Sequence, residues 1–121
     1  MKFPQLYYVF LFLFSISGFT QKSAIDTSNL LEFNSAINLF KNQQYQSATI
    51  LFDKIKSETV NQDIQSDCSY YSAISAIHLN QPNADALITN FINNYPTSPK
   101  QNQAYHEIAN YYFDQIGRAH V

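Results

Sequence analysis

The chain has few of the residues that several classes of functional site require. Its 121 residues include one cysteine, so no disulfide can form within the chain. The two glycines, Gly18 and Gly117, lie near opposite ends, so the sequence contains no glycine-rich phosphate loop. The formal charge is −2, and it becomes −4, from five lysines and nine acidic residues, when residues 1–20 and 116–121 are set aside for reasons given below. A charge of this size and sign attracts neither nucleic acid nor an anionic membrane. We therefore predict that nucleic acid is not a partner.

Residue types that carry catalysis are present, but they form no recognisable arrangement. No histidine or other base is placed to activate Cys68, which is interpreted as a small core residue. Asp63 and Asp67 are four apart on one predicted helix, and we interpret them as a solvated helix start. Three histidines show no metal-ligand spacing: His78, His106 and His120. The sequence therefore predicts a non-enzymatic protein without a cofactor or metal.

The first twenty residues predict a secretory signal segment. Lys2 supplies a positive start, and an uninterrupted apolar run follows from Leu6 to Phe14. This run is shorter than the roughly 20 apolar residues that span a bilayer. We predict cleavage before Gln21, a polar lead-in over residues 21–28, export to the periplasm or cell envelope, and no integral membrane span in the mature chain. An uncleaved N-terminal anchor and a buried strand are the alternatives.

Apolar residues recur at helical spacing in the segment 33–52 and return twice along the chain. Positions i, i+3, i+4 and i+7 on both sides of the polar hinge 42–44 predict two amphipathic helices. Their small and large positions return at spacings of 36 and 37 residues. Helix pairs of this kind bury their apolar faces only against neighbouring copies. The predicted packing residues are Ala36, Phe40, Tyr45, Ala48, Phe52, Ala73, Ile77, Ala84, Ile88, Phe91, Ala109 and Phe113.

Capping residues and prolines predict where the helices begin. Asn29 and Glu32 have the spacing of a capping box, which would open the first helix. Pro82 cannot donate a backbone hydrogen bond, so it belongs in the first turn of the fourth helix. Ser98 would cap the fifth helix, and Pro99 would begin it. The predicted helices cover residues 29–41, 45–56, 63–79, 82–94 and 99–115.

These residues resemble the tetratricopeptide repeat (TPR) family. Small residues stand at positions 36, 73 and 109, where the family keeps one so that paired helices approach closely. Tyr45, Ala48 and Phe52 resemble the signature of its second helix, and the run from Tyr95 to Pro99 is similar to the repeat ending Tyr-Pro-x-Ser-Pro of envelope-associated members. The resemblance covers residues 29–115. The first helices lack the family's tryptophan, Gln81 replaces the tyrosine of the second hinge, and the period near 36 exceeds the common length of about 34 residues.

The resemblance implies a fold and a function. The fold would be all-α, a TPR-like α-solenoid of antiparallel helix hairpins, with two full repeats and the first helix of a third. The chain resembles the N-terminal part of large exported envelope proteins of this family. It would therefore be an interaction scaffold that binds a peptide or protein partner. The alternative is the N-terminal repeat region of an envelope enzyme or sugar-uptake component whose working domain lies beyond residue 121.

The first helix of each pair would line the concave face of such a solenoid. Polar and aromatic residues on these helices that are not needed for packing are therefore candidates for partner contact. They are Asn34, Asn38, Lys41, Ser72, Ser75, Tyr105, Asn110 and Tyr112. Amide side chains and tyrosine rings would hold an extended peptide by hydrogen bonds and aromatic contact. The alternative for each residue is a solvated position without a partner.

The last six residues depart from the repeat. Its register would place a tyrosine-like residue at 118 and alanine at 121, where the chain has Arg118 and Val121. The run Ile-Gly-Arg-Ala-His-Val also resembles a sequencing adapter translated in one frame. We predict that the native sequence ends at Gln115 and that the gene continues, the alternative being a genuine C-terminus. Further repeats after Gln115 would favour the scaffold, and a globular domain would favour the alternative function.

Overall fold

A computed structural model describes residues 27–119, and this part of the chain consists of helices and turns. The helices are α1 over residues 27–41, α2 (Tyr45–Glu58), α3 (Gln62–His78), α4 (Ala84–Asn94) and α5 (Gln101–Ala119). The prediction of an all-α chain without strands is confirmed for these residues. None of these helices combines the length and apolar character needed to cross a bilayer. The predicted signal segment, its cleavage site, the lead-in up to residue 26, His120 and Val121 lie outside the described residues.

The buried side chains form two clusters, each shared by three consecutive helices. The first cluster contains residues of α1, α2 and α3: Ala36, Ala48, Phe52, Ile55 and Cys68. The second contains residues of α3, α4 and α5: Tyr70, Ala73, Ile74, Ile88, Phe91 and Ala104. Phe40 and Tyr71 pack against both clusters. Neighbouring helices are therefore packed in chain order, and α3 joins the α1–α2 pair to α4 and α5.

The α1–α2 and α3–α4 turns close in the same way, 37 residues apart. Gln43 and Asn80 follow α1 and α3 with φ angles of 63° and 53°, in the left-handed region. After α1, the amide of Gln44 donates to the Leu39 carbonyl at 2.9 Å, and after α3 the amide of Gln81 donates to the Ala76 carbonyl at 3.0 Å. Each is the six-to-one hydrogen bond of a Schellman motif. Both pairs are therefore tight hairpins closed without glycine.

The first helix begins earlier than predicted, and its capping box does not form. The chain is already helical at Thr27, so Asn29 lies inside α1, where it is buried. Glu32 bonds elsewhere: Lys54 Nζ on α2 donates to its two carboxylate oxygens at 2.9 and 3.0 Å. The capping prediction was wrong because the motif at Asn29 fits a helix start locally, whereas the packed helix continues through it.

Several other helix boundaries differ from the predictions by a few residues, including the end of α2 and both ends of α3. Pro82 lies in the turn before α4, which begins at Ala84. Ser98 and Pro99 lie in the turn before α5, which begins at Gln101, and Ser98 Oγ accepts from the Lys100 amide at 3.1 Å within that turn. At the other end, α5 continues through Ala119. The start of α3 is capped by Asn61, whose Oδ1 accepts from the Asp63 and Ile64 amides at 2.9 and 3.3 Å.

The predicted packing residues fall into three groups. Fully or almost fully buried are Ala36, Ala48, Phe52, Ala73, Ala84, Ile88 and Phe91. Partly buried are Phe40, Tyr45 and Ile77. Ala109 and Phe113 are exposed, because within residues 27–119 no helix follows α5 to cover them. The packing predicted for these two residues is therefore not observed in the described part of the chain.

Candidate functional site

The candidate site is a groove of about 590 Å³ on the surface where α1, α3 and α5 meet. Helices α2 and α4 contribute no residue to it. The lining residues are Phe40 from α1, Tyr70, Tyr71, Ile74 and His78 from α3, and Asn102, Gln103, His106 and Glu107 from α5. The odd-numbered helices therefore share one concave surface, with aromatic residues on one side and polar residues on the other.

Tyr71 is the centre of the aromatic side. Its ring centroid lies 5.0 Å from that of Phe40 and 5.3 Å from that of Tyr70, both in edge contacts. It also stacks on Phe52 of the first cluster, at 5.3 Å and 13°, and makes an edge contact with Phe33 of α1 at 6.5 Å. Contacts in several directions hold a ring in one orientation. The aromatic wall is therefore fixed by packing before any ligand arrives, which lowers the entropy cost of binding.

A lysine holds the start of α5 against this wall. Lys100 Nζ lies 5.6 Å from the Tyr71 ring centroid, within the range of a cation–π contact, and 3.4 Å from Asp67 Oδ1 on α3. Both charged side chains are only partly exposed. The Asp67 carboxylate offsets the ammonium charge, so this contact contributes chiefly to the position of α5 relative to α3.

The polar side of the groove offers donors and acceptors of several kinds. Asn102 and Gln103 carry amides, His106 an imidazole, and Glu107 a carboxylate without an ion-pair partner among residues 27–119. At one end, the exposed imidazole of His78 stacks on Tyr45 at 4.4 Å and 5°. This arrangement suits hydrogen bonds to a polypeptide backbone.

The phenol of Tyr70 is kept protonated. Burial, and then the nearby Glu107 carboxylate, raise the pKa of Tyr70 to about 12. A phenol is neutral at neutral pH already at its ordinary pKa, and the raised pKa keeps Tyr70 neutral to higher pH. Tyr70 therefore lines the groove as a neutral phenol.

The contact residues predicted from the sequence do not line this groove. Ser75 is fully buried and its Oγ donates to the Tyr71 carbonyl at 2.7 Å, while the buried Ser72 donates to Asp53 Oδ1 on α2 at 3.0 Å. Exposed but away from the groove are Asn34, Asn38, Lys41, Tyr105, Asn110 and Tyr112. Of these, Asn110 lines an adjacent depression together with His78 and Glu107.

The residues that do line the groove were assigned other roles or none. Ile74 and Tyr71 carry the apolar signal of core residues and are not among the predicted contact residues. Only the tertiary packing places them at the groove, because α3 contacts α2, α4 and α5, and Tyr71 remains partly exposed. The 36-residue register is one signal that could have pointed to residues near the groove. It makes Tyr70, Tyr71 and Ile74 of α3 equivalent in position to His106, Glu107 and Asn110 of α5.

No group of three or more histidine, cysteine, aspartate or glutamate side chains within residues 27–119 is arranged to hold a metal ion. Cys68 is fully buried in the first cluster. Burial, with a smaller effect of Asp67 and Asp53, raises the pKa of its thiol to about 12.

We expect Cys68 to be unreactive in the folded chain. At about pH 8 almost none of a thiol with this pKa is thiolate, and the nucleophile is the thiolate. Reaction with a chromogenic disulfide should be about tenfold slower or more than in denaturant, where the thiol is exposed. Absorbance of the released thiolate measures both rates, and equal rates would contradict the burial of Cys68.

The chain matches no family model, no curated protein and no solved structure.

Proposed function

We propose that this chain is a non-enzymatic interaction scaffold of TPR-like helix hairpins, exported to the bacterial envelope, whose groove binds a peptide or protein segment. The observation that carries the proposal is the groove itself, since α1, α3 and α5 place a fixed aromatic wall opposite amide, imidazole and carboxylate groups. Pockets that combine apolar walls with a few polar groups are the usual binding sites of proteins.

Two observations support the hairpin repeat. The buried alanines Ala36 and Ala73 stand 37 residues apart, and so do the left-handed turn residues Gln43 and Asn80. Each hairpin thus has a small residue in its first helix and the same type of closure after it. Stacked hairpins of this kind place their first helices on one concave surface, which is where the groove lies.

The chemistry of the groove favours an extended segment as ligand. Amide side chains such as Asn102 and Gln103 both donate to and accept from a peptide backbone. The aromatic wall of Phe40 and Tyr71 would contact an apolar side chain of the ligand. Export is supported by the apolar run from Leu6 to Phe14.

A peptide-display selection tests the proposal. Random peptides of about nine residues are selected against the full chain, and fluorescence anisotropy of the resynthesised peptides measures affinity. Replacing the exposed Gln103 with tryptophan would fill the groove, so we expect affinity to fall about tenfold or more, which is about 1.4 kcal/mol. Gln46→Trp is the matched control, because Gln46 is exposed on α2 outside the groove.

Two outcomes would contradict the proposal. If selected peptides bound both tryptophan variants equally, the ligand would lie on another surface. If no peptide bound the full chain more tightly than about 1 mM, the groove would not be a peptide site.

A further inference from the structure

The groove contains one carboxylate that the described part of the chain leaves unpaired. Glu107 on α5 is partly buried, and its carboxylate has no hydrogen-bond or ion-pair partner within residues 27–119. The other residues that line the groove include no acidic residue, lysine or arginine. A partly buried charge has lost some of its hydration and gains from an opposite charge placed beside it. The groove therefore favours a ligand that brings a positive charge to Glu107.

An aromatic surface lies beside this carboxylate. Phe40, Tyr70 and Tyr71 line the same groove. Glu107 is close enough to Tyr70 to add to the effect of burial in raising the pKa of the phenol. Lysine and arginine pack their alkyl stems on apolar surfaces while their charged ends remain in polar surroundings. An aromatic wall next to an unpaired carboxylate therefore suits a basic side chain.

The molecule contains one example of this arrangement. Lys100 Nζ lies 5.6 Å from the Tyr71 ring centroid and 3.4 Å from Asp67 Oδ1. Its side chain is only 22% exposed, so a basic residue is held here between a tyrosine ring and a carboxylate of a neighbouring helix. Glu107 and Tyr70 offer the same two groups without a lysine.

We propose that the segment bound in the groove is recognised by a lysine or arginine side chain, whose alkyl stem lies on Phe40 and Tyr70 and whose charged end pairs with Glu107. This inference rests on the proposed function, since it names the chemistry of the ligand of the same groove. The formal charge of −2 also favours the approach of a cationic segment. An acidic side chain at the same place would meet a like charge, so the groove discriminates against it.

Selected peptides test the proposal. Nine-residue peptides selected on the full chain are resynthesised with fluorescein in two forms, one unchanged and one with each basic residue replaced by glutamine. We expect lysine or arginine to be enriched over the starting library in those peptides whose affinity falls with Gln103→Trp. Replacement by glutamine should weaken their binding about tenfold or more, as measured by fluorescence anisotropy.

Variants of the full chain locate the charge. Glu107→Gln should weaken binding of the basic peptides about tenfold and leave binding of their glutamine forms nearly unchanged, because the two groups act as a pair. Glu58→Gln is the matched control, since Glu58 is exposed on α2 outside the groove. Glu107→Lys should bind the basic peptides least and prefer forms with glutamate in place of the basic residue. Circular dichroism confirms that each variant remains helical.

Failure of this inference differs from failure of the proposed function. Peptides that lose affinity with Gln103→Trp but carry no excess of basic residues, or that bind Glu107→Gln as tightly as the wild-type chain, would overturn the inference alone. Equal weakening by Glu58→Gln and Glu107→Gln would overturn it as well, because the overall charge would then attract the ligand. The absence of any binding peptide, or equal binding with and without Gln103→Trp, would overturn both.

Sedimentation of the wild-type chain tests a second copy as the occupant. We expect the concentration at which the chain associates, if it does, to be the same for Glu107→Gln. A dimer that Glu107→Gln dissociates, without peptide binding, would assign the groove to a second copy and contradict the proposal.

Discussion

Replacing Phe52 with alanine should lower the free energy of unfolding by about 3–5 kcal/mol. Phe52 is fully buried on α2, where its ring makes an edge contact with Phe33 of α1 at 5.9 Å and stacks on Tyr71 of α3. Removing the ring therefore leaves a cavity at the junction of three helices. Because helices in this region contact each other through that ring, the surrounding side chains can fill the cavity only in part.

Urea denaturation of the full chain, followed by circular dichroism at the helical band, measures this loss. The control is the same substitution at Phe113, which is 77% exposed on α5. Phe113→Ala should change stability by no more than about 0.5 kcal/mol, as surface substitutions usually do. Equal midpoints for Phe52→Ala and the wild-type chain would contradict the packing described for the first cluster.

Replacing Ala36 with leucine should lower the free energy of unfolding by about 1–3 kcal/mol. Ala36 on α1 and Ala48 on α2 are both fully buried in the first cluster. The interior between them has no room for three further carbons, so the larger side chain must adopt a strained rotamer or separate the two helices. The loss arises from overpacking, and it occurs although leucine is the more apolar residue.

The matched control is Ala109→Leu, at the equivalent position of α5. Ala109 is exposed, so the added carbons meet solvent and stability should stay within about 0.5 kcal/mol of the wild-type value. Thermal melts of both variants give the comparison. Similar destabilisation by the two substitutions would show that the effect comes from the helix and not from the hairpin interface.

The hairpin alternation could be predicted from the sequence because its signals are local or periodic. The spacing of Ala36, Phe40, Ala48 and Phe52 indicates which helix faces are apolar, and the 36-residue return indicates that neighbours share the arrangement. Both signals are reflected in the fold, since these four residues are buried or partly buried.

The turn closures could not be predicted with the usual signal. Helices that end in the left-handed conformation most often use glycine, and neither closure contains one. Gln43 and Asn80 adopt that conformation because the hairpin packing on both sides fixes the path of the chain. Asparagine tolerates it better than most residues, so Asn80 carries a faint signal in the sequence, whereas Gln43 carries none.

The groove could not be predicted from the sequence either, for a different reason. Periodicity separates apolar from polar faces, but it does not tell which apolar residues remain open after three helices meet. On α3, polar Ser72 and Ser75 are buried against their neighbours, while Tyr71 and Ile74 border the groove. Serine hydroxyls that bond to Asp53 and to a backbone carbonyl are stable inside the protein, so polarity alone misplaced them.

Phe40 and Tyr71 touch both buried clusters and also form the wall of the groove. Any molecule that binds against these two rings therefore contacts the interface between the α1–α2 pair and the helices that follow. Ligand affinity and the free energy of unfolding are linked through that interface, because a ligand that binds only the native state also stabilises it. An occupied groove would thus tie the separate hairpins into one cooperative unit.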